Sequence, residues 1–266
     1  MASITSRKHA MPTIRLVYVR DLLRELVLRD LKLRYKRSVI GILWSLVNPL
    51  VQILIFTFLF SRVLPLNIPN YTVFVFSGVL AWTWFQTSLS MASGAIVDNR
   101  ELVRRPGFPV AVLPVVTVTT SMIHFTLALP VLAFFLIFGG GHIGLVTLFL
   151  PLIMLVQFLL TLGLAYLIAA AHVIFRDTQH LITLGLMLMF YLTPVFYRAD
   201  NVPEQYRLIY ALNPMAHLLT AYRAILVQGV WPATGTMALL FVMALILLGI
   251  GYAVFQHVSL SFVEEL

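Results

Sequence analysis

The chain reads as an all-α polytopic membrane protein with six transmembrane helices. An N-terminal amphipathic interface helix precedes them, and short extracellular re-entrant helices separate spans five and six. Three observations carry this reading. First, 61% of the 266 residues are hydrophobic and only 11% are charged, with a mean hydropathy of +0.96. A soluble domain has about 25% charged residues, so this surface could not be kept in water. Second, apolar runs near the ~20 residues needed to cross the hydrocarbon layer recur along the chain. Third, ten of the eighteen Lys and Arg precede residue 38, immediately before the first such run. The formal charge of +8 therefore points to cytoplasmic loops facing anionic lipid, with no nucleic-acid partner. The absence of cysteine excludes disulfides and thiolate metal sites.

The elements follow in order. Residues 16–29 pattern as an amphipathic helix at the cytoplasmic interface. Leu16, Val19, Leu22, Leu23, Leu26 and Val27 share one arc, and Arg20, Asp21, Arg24, Glu25 and Arg29 share the other. Glu25 and Arg29 stand at i,i+4 in the favourable order. Beyond this the stripe breaks, because Asp30, Arg34 and Arg37 return to the apolar arc. Two readings fit: a protein partner meets the segment, or it is a solvated basic cuff that orients the first span.

The six candidate spans are Ile42 to Phe60, Thr72 to Val97, Val110 to Phe138, Ile143 to Ile174, Leu181 to Tyr197 and Ala233 to Gln256. Pro114, Pro130 and Pro151 lie in or beside the third and fourth, which are expected to tilt, kink or begin outside the core. An even count places both termini on one side. With the N-terminal segment, the 98–109 loop and the Phe175-Arg176-Asp177 loop, that side holds fourteen Lys and Arg, against four (Arg62, Arg198, Arg207 and Arg223) opposite. Both termini are therefore expected in the cytoplasm. No cleavable leader is apparent, so the first span is expected to act as its own insertion signal. Between spans five and six, Ile209 to Leu212 and Met215 to Val227 read as short re-entrant helices joined by an Asn213-Pro214 turn.

Catalytic material is sparse. All ten acidic residues lie outside or at the edges of the spans, and no Lys or Arg falls mid-membrane. Carriers coupled to protons or sodium keep ionisable groups there as the relay, so the driving energy is expected from elsewhere. The dipeptide Gly-Lys never occurs, so the chain has no phosphate loop of the ATPase type. His124, His172, His180 and His257 read as structural residues.

Two features invite function. The loop Asp98-Asn99-Arg100-Glu101-Leu102-Val103-Arg104-Arg105-Pro106-Gly107-Phe108-Pro109 reads as a short helix capped by Asp98 or Asn99 and ended by Pro106-Gly107. Arg100, Arg104 and Arg105 are mixed there with Leu102, Val103 and Phe108, which are expected to be exposed. That suits docking into a partner's groove, beside the plainer reading of ordinary positive-inside charge. The aromatics Trp44, Trp82, Trp84, Phe85, Phe190, Tyr191, Phe196 and Tyr197 crowd spans one, two and five. They form either an interfacial belt or the lining of a sugar-conducting path, since aromatic faces stack on the C–H faces of pyranose rings. Asn48, Gln52, Gln86 and Gln157 add uncharged polar groups within spans.

These residues also carry a family likeness. Arg29-Asp30-Leu31-Lys32-Leu33-Arg34-Tyr35-Lys36-Arg37-Ser38 runs into Gly41-Ile42-Leu43-Trp44-Ser45-Leu46-Val47-Asn48-Pro49. Asn99 to Pro109, Phe175-Arg176-Asp177, Leu192-Thr193-Pro194-Val195-Phe196-Tyr197 and Leu212-Asn213-Pro214-Met215 follow. With these, the chain resembles the membrane (permease) subunit of ABC-2 type polysaccharide exporters, which move O-antigen, capsule or teichoic-acid chains. The resemblance implies a single ABC-2 transmembrane domain over 1–266, in a homodimer paired with two copies of a separate nucleotide-binding ATPase. That partner would bind ATP and Mg²⁺, and this chain no cofactor or metal.

The resemblance also implies roles for individual segments. Residues 14–38 would be the interface and gate helix, with Asp30, Lys32, Arg34, Tyr35, Lys36 and Arg37 at the gate. Residues 98–109 would be the coupling helix, presenting Asn99, Arg100, Glu101, Leu102, Arg104, Arg105 and Phe108 to the ATPase. Residues 198–232 would be the extracellular gate helices. Spans one, two and five would line the path with Trp44, Gln52, Trp82, Trp84, Phe85, Tyr191, Phe196 and Tyr197. The cargo would be a lipid-linked glycan leaving the bacterial cytoplasmic membrane, and the chain itself not an enzyme. A drug or lipid exporter permease is the alternative in the same superfamily, and a glycan-assembling membrane enzyme is the alternative outside it.

Overall fold

Each of the six apolar runs folds as a helix in the computed structural model, which describes residues 12–35, 44–139, 144–260 and 262–265. In chain order the helices are α1 Pro12–Tyr35, α2 Trp44–Phe58, α3 Tyr71–Gly94, α4 Arg100–Val103, α5 Val112–Phe138 and α6 Leu150–Ile174. They continue with α7 Thr178–Leu192, α8 Arg207–Ala211, α9 Pro214–Arg223, α10 Thr234–Val258 and α11 Phe262–Glu265. No strand occurs among the described residues. The molecule is an all-α polytopic membrane protein. By length and composition α5, α10 and the segment Leu145–Ile174 can each cross a membrane, while Val47–Val63 and α7 are shorter apolar helices.

Helix α3 is the hub, packing on α2, α5, α6, α7 and α9. Seventeen of its 24 residues are buried, so it can carry hydroxyls that a lipid-facing helix would avoid. Those hydroxyls bond back to their own helix: Ser77 Oγ donates to Phe74 O at 2.9 Å, and Ser88 Oγ to Trp84 O at 2.7 Å. Gln157 of α6 is fully buried and donates to Ala81 O of α3 at 2.8 Å. A polar residue within a span thus tethers two helices here instead of facing an open path.

Helices α6 and α10 pair backbone to backbone through Gly163 and Gly251. A Cβ on Gly163 would stand 2.7 Å from the Leu247 carbonyl carbon, and one on Gly251 would overlap the Gly163 carbonyl oxygen. Small residues at such a crossing let helices in lipid gain close van der Waals contact, where no hydrophobic force drives them together.

The prolines explain most helix boundaries. Pro114 and Pro151 occupy the first turns of α5 and α6, where a missing N–H costs little, and Pro130 lies inside α5. The fifth run was expected to stay helical to Tyr197, but α7 ends at Leu192. Pro194 pushes Thr193 into extended backbone (φ −93°, ψ 138°). Asn213-Pro214 behaves as expected: the Asn213 side chain accepts from Met215 N at 3.0 Å and Pro214 opens α9. Helix α9 is then buried against α3, α6 and α10.

Helix α1 packs along α5 with Leu26 and Val27 buried and Val19, Leu22, Leu23 and Leu31 half-buried, as its apolar arc requires. The Glu25–Arg29 pair does not form: among the described residues the ion pairs are Arg20–Asp21, Arg198–Asp200 and Arg207–Glu204. Arg29 reaches across to Asn99 instead, at 2.8 Å.

Candidate functional site

At the end of the bundle where α1 meets α4, Arg29 Nη2 donates to Asn99 Oδ1, and Asn99 Nδ2 donates to Ala95 O at 3.0 Å. The interface helix is thereby fastened to the start of the 98–109 segment. Asn99 occupies the N-cap position of α4 but makes no cap bond, because its amide is committed to these two contacts. The Asp98 carboxylate folds back over Gly94. Gly107 closes the turn after α4 with φ +80°, a conformation that favours glycine.

The apolar residues of this segment correct the expectation of exposure. Val103 is buried, and Leu102 and Phe108 are half-buried against the core. A four-residue helix has too little hydrogen bonding to stand alone, so its apolar side anchors it to the bundle. Arg100, Glu101, Arg104 and Arg105 remain on the surface. The surface this segment leaves open is therefore polar and mostly basic.

Of the proposed gate residues, Asp30 is half-buried, with Oδ2 meeting no partner among the described residues, and Lys32 is exposed. Lys36 and Arg37, and the side chains of Arg34 and Tyr35, lie outside the described residues.

The aromatics expected to line a path come together on α2, α3, α7 and the residues just past the ends of α2 and α7. Phe56 stacks 5.4 Å from Phe196 and 6.1 Å from Phe190, and Phe60 lies 5.5 Å from Phe196 (ring centroids). Trp82 meets Phe190 at 5.8 Å and Phe85 at 5.5 Å. Tyr191, Phe196 and Tyr197 extend the series outward to Tyr210 of α8, whose hydroxyl lies 2.6 Å from that of Tyr197. Tyr197 in turn donates to Tyr191 O at 2.9 Å, so Tyr210 is the donor of the pair. The Trp82 indole N–H donates to Gln86 at 2.9 Å, and Gln52 of α2 is half-buried. The Trp44 side chain lies outside the described residues.

Trp84 does not join this group. Two residues from Trp82, it points to the far side of α3, where it packs 5.2 Å from Phe125, itself 5.8 Å from Tyr222. Together with Asn48, Thr83, Ser121 and His124 it borders a 200 Å³ cavity between α2, α3 and α5.

The residue that sequence reasoning missed is Arg223, at the end of α9. It is buried, and its guanidinium donates to Pro194 O at 2.7 Å (Nη1) and Val195 O at 2.6 Å (Nη2). Its carbon centre sits 3.6 Å from the Phe74 ring centroid. No carboxylate pairs with it among the described residues. Two carbonyls and an aromatic face solvate the charge instead, a use for which the planar fork of arginine is suited. Neighbouring bonds complete the clasp: Asn213 Nδ2 donates to Thr193 Oγ1 at 2.8 Å and Tyr71 Oη to Phe196 O at 2.9 Å. The Pro194, Val195 and Phe196 carbonyls just past the end of α7 thus each face a side chain from α3 or α9. Gly78 leaves room for the clasp, since a Cβ there would lie 2.7 Å from both Arg223 Nη2 and Val195 O. The legible signal was one arginine inside the apolar run Met215 to Val227.

What these features define is the membrane subunit of a transporter: helices fit to span lipid, an aromatic seam between three of them, and a basic face at the end where α1 and α4 meet. Residues 21–227 match the ABC-2 type transporter family, and the chain belongs to it, as a transport subunit and not an enzyme. Among curated proteins, it is 38% identical to the O-antigen export system permease protein RfbA of Myxococcus xanthus, over 93% of this chain and 96% of the relative. It is 34% identical to the protein of that name in Klebsiella pneumoniae, over 94% and 96% respectively. The polysialic acid transport protein KpsM of Escherichia coli is 22% identical over 87% and 91%.

Proposed function

We propose that the chain is the permease of an ATP-driven exporter that carries a lipid-linked polysaccharide, of O-antigen, capsule or teichoic-acid type, across the bacterial cytoplasmic membrane. The observation that carries this reading is the part-exposed aromatic seam of Phe56, Phe60, Phe190, Tyr191, Phe196 and Tyr197, which the buried Trp82 and Phe85 back from within the chain. It combines flat stacking faces with few fixed hydrogen-bond partners, so a glycan can slide along it without being held at one register. The names of the relatives support the same cargo class.

In this reading α2, α3, α5, α6, α7 and α10 span the membrane, with both termini in the cytoplasm. Two copies of the chain enclose one path. Helix α7 buries only two of its 15 residues and exposes Leu181, Leu184, Met187, Leu188 and Tyr191. Helix α2 exposes Val51, Leu54, Ile55 and Phe58. A second copy seated on these helices would turn the seam inward. Two copies of a separate ATPase would hold ATP and Mg²⁺ and dock on Asn99, Arg100, Glu101, Leu102, Arg104, Arg105 and Phe108, with the two half-buried apolar members backing the polar face. Closure of the ATPase pair would draw the α4 segments together and, through the Arg29–Asn99 bond, move α1 and the Asp30–Arg37 gate.

The test is export by Phe56→Ala, Tyr191→Ala and Phe196→Ala variants. Each is expected to reduce surface glycan several-fold while membrane insertion and ATPase association stay normal. Full export by all three would remove the seam from the path.

A further inference from the structure

The 200 Å³ cavity between α2, α3 and α5 differs from the aromatic seam in its chemistry. No Lys, Arg, Asp or Glu is among the described residues that line it, and its one imidazole, His124, is already engaged by a neighbour. A charged ligand would be left unpaired there. Nor is it a groove for hydrocarbon, because Asn48, Thr83, Thr87 and Ser121 place an amide and three hydroxyls in its wall. Ser121 Oγ donates to Thr117 O at 3.0 Å and keeps its lone pairs as acceptors. Among the described residues, the Asn48, Thr83 and Thr87 side chains meet no hydrogen-bond partner. The indole N–H of Trp84 is likewise without an acceptor, although that residue is only 2% exposed. The wall therefore holds unspent hydrogen-bonding capacity beside two aromatic rings, Trp84 and Phe125, whose centroids lie 5.2 Å apart. Neutral donors and acceptors suit hydroxyls, and aromatic rings suit C–H faces. A sugar ring carries both.

We propose that this cavity is a discrete subsite for one neutral pyranose of the exported glycan, at the cytoplasmic foot of the aromatic seam. Its volume equals that of about six waters, comparable to one pyranose ring with its hydroxyls. Its place follows from α2, on which Asn48, Gln52 and Phe56 stand four residues apart and so form one ridge. The lower end of that ridge borders the cavity, and Phe56 at its upper end belongs to the seam. Seam and cavity thereby divide the work. Stacking faces let a chain slide, whereas directional bonds from Asn48, Thr83 and Thr87 hold one sugar in register before it enters. The subsite rests on the export reading above and adds to it a point where neutral sugars are selected.

The experiment adds D-mannose, D-galactose, D-glucose or N-acetyl-D-glucosamine to the purified full chain in a detergent without a sugar headgroup. Saturation-transfer NMR reads contact with the C–H protons of each sugar, and glycerol serves as the control. At least one sugar is expected to give a saturable signal that glycerol does not. The double variant Thr83→Val/Thr87→Val keeps the shape of the wall but removes two hydroxyls, and it should lower that signal several-fold. In cells it should lower surface glycan by a similar factor while ATPase association is unchanged. Should it misfold, Asn48→Ala serves in its place, at an exposed position of α2. No saturable signal from any of the four sugars, or an equal one from glycerol, would show a cavity that holds only water and overturn the proposal. A signal unaltered in the variant would place binding elsewhere and do the same, as would normal export by a variant that has lost binding. The export reading fails separately, if the wild-type chain with its ATPase delivers no glycan.

Discussion

A single buried cation holds the α8–α9 hairpin in place. Arg223 supplies two hydrogen bonds to the carbonyls exposed where α7 breaks, and its charge rests on Phe74. Leaving buried carbonyls without donors costs about 1–3 kcal/mol each, and a desolvated cation–π contact adds about 2 kcal/mol. Arg223→Ala is therefore expected to lower the unfolding temperature in detergent markedly. Arg223→Lys should recover only part, because an ammonium cannot reproduce the fork. Gly78→Ala should mimic the loss from the opposite side by forcing Arg223 Nη2 and Val195 O apart. Wild-type melting of all three variants would contradict the clasp. Arg223 also shows why the sequence alone was incomplete here. A charge count by loop placed it among outer-side arginines, yet burial is decided by a hairpin returning to α3, which no local pattern encodes.

At the scale of elements, the pairing of α6 and α10 rests on Gly163 and Gly251, so Gly251→Leu is expected to part the helices. Overpacking typically costs about 1–3 kcal/mol, and here it would meet backbone instead of a yielding side chain. Loss of folded protein on size-exclusion chromatography is the expected result, and an unchanged profile would argue against this contact. The 98–109 segment gives a second prediction. Charge reversal of Arg104 and Arg105 together should reduce co-purification of the ATPase while leaving the permease folded, because both side chains face solvent.

Long apolar runs and prolines made most helices legible, since hydrocarbon thickness and missing N–H groups act locally. The end of α7 was misjudged because its last residues stay apolar beyond the helix; Pro194 was the overlooked cue. Leu102, Val103 and Phe108 were read as exposed because a short loop gives no periodicity from which to infer a facing. Trp82 and Trp84 look equivalent in a composition count, but a spacing of two sets them on opposite sides of a helix.

For the whole molecule, composition alone was enough to reveal a membrane protein, and the placement of basic residues predicts an orientation with both termini in the cytoplasm. Cysteine labelling tests that orientation on residues the structure exposes: position 105 should react from the cytoplasm and position 205 from outside. The reverse pattern would invert the topology. The central claim is that this chain is a conduit driven by a separate ATPase. The most direct test reconstitutes it in vesicles with lipid-linked polysaccharide and ATP, with and without that partner, and counts glycan delivered to the far side. Delivery is expected only when both are present, and delivery by this chain alone would contradict the account.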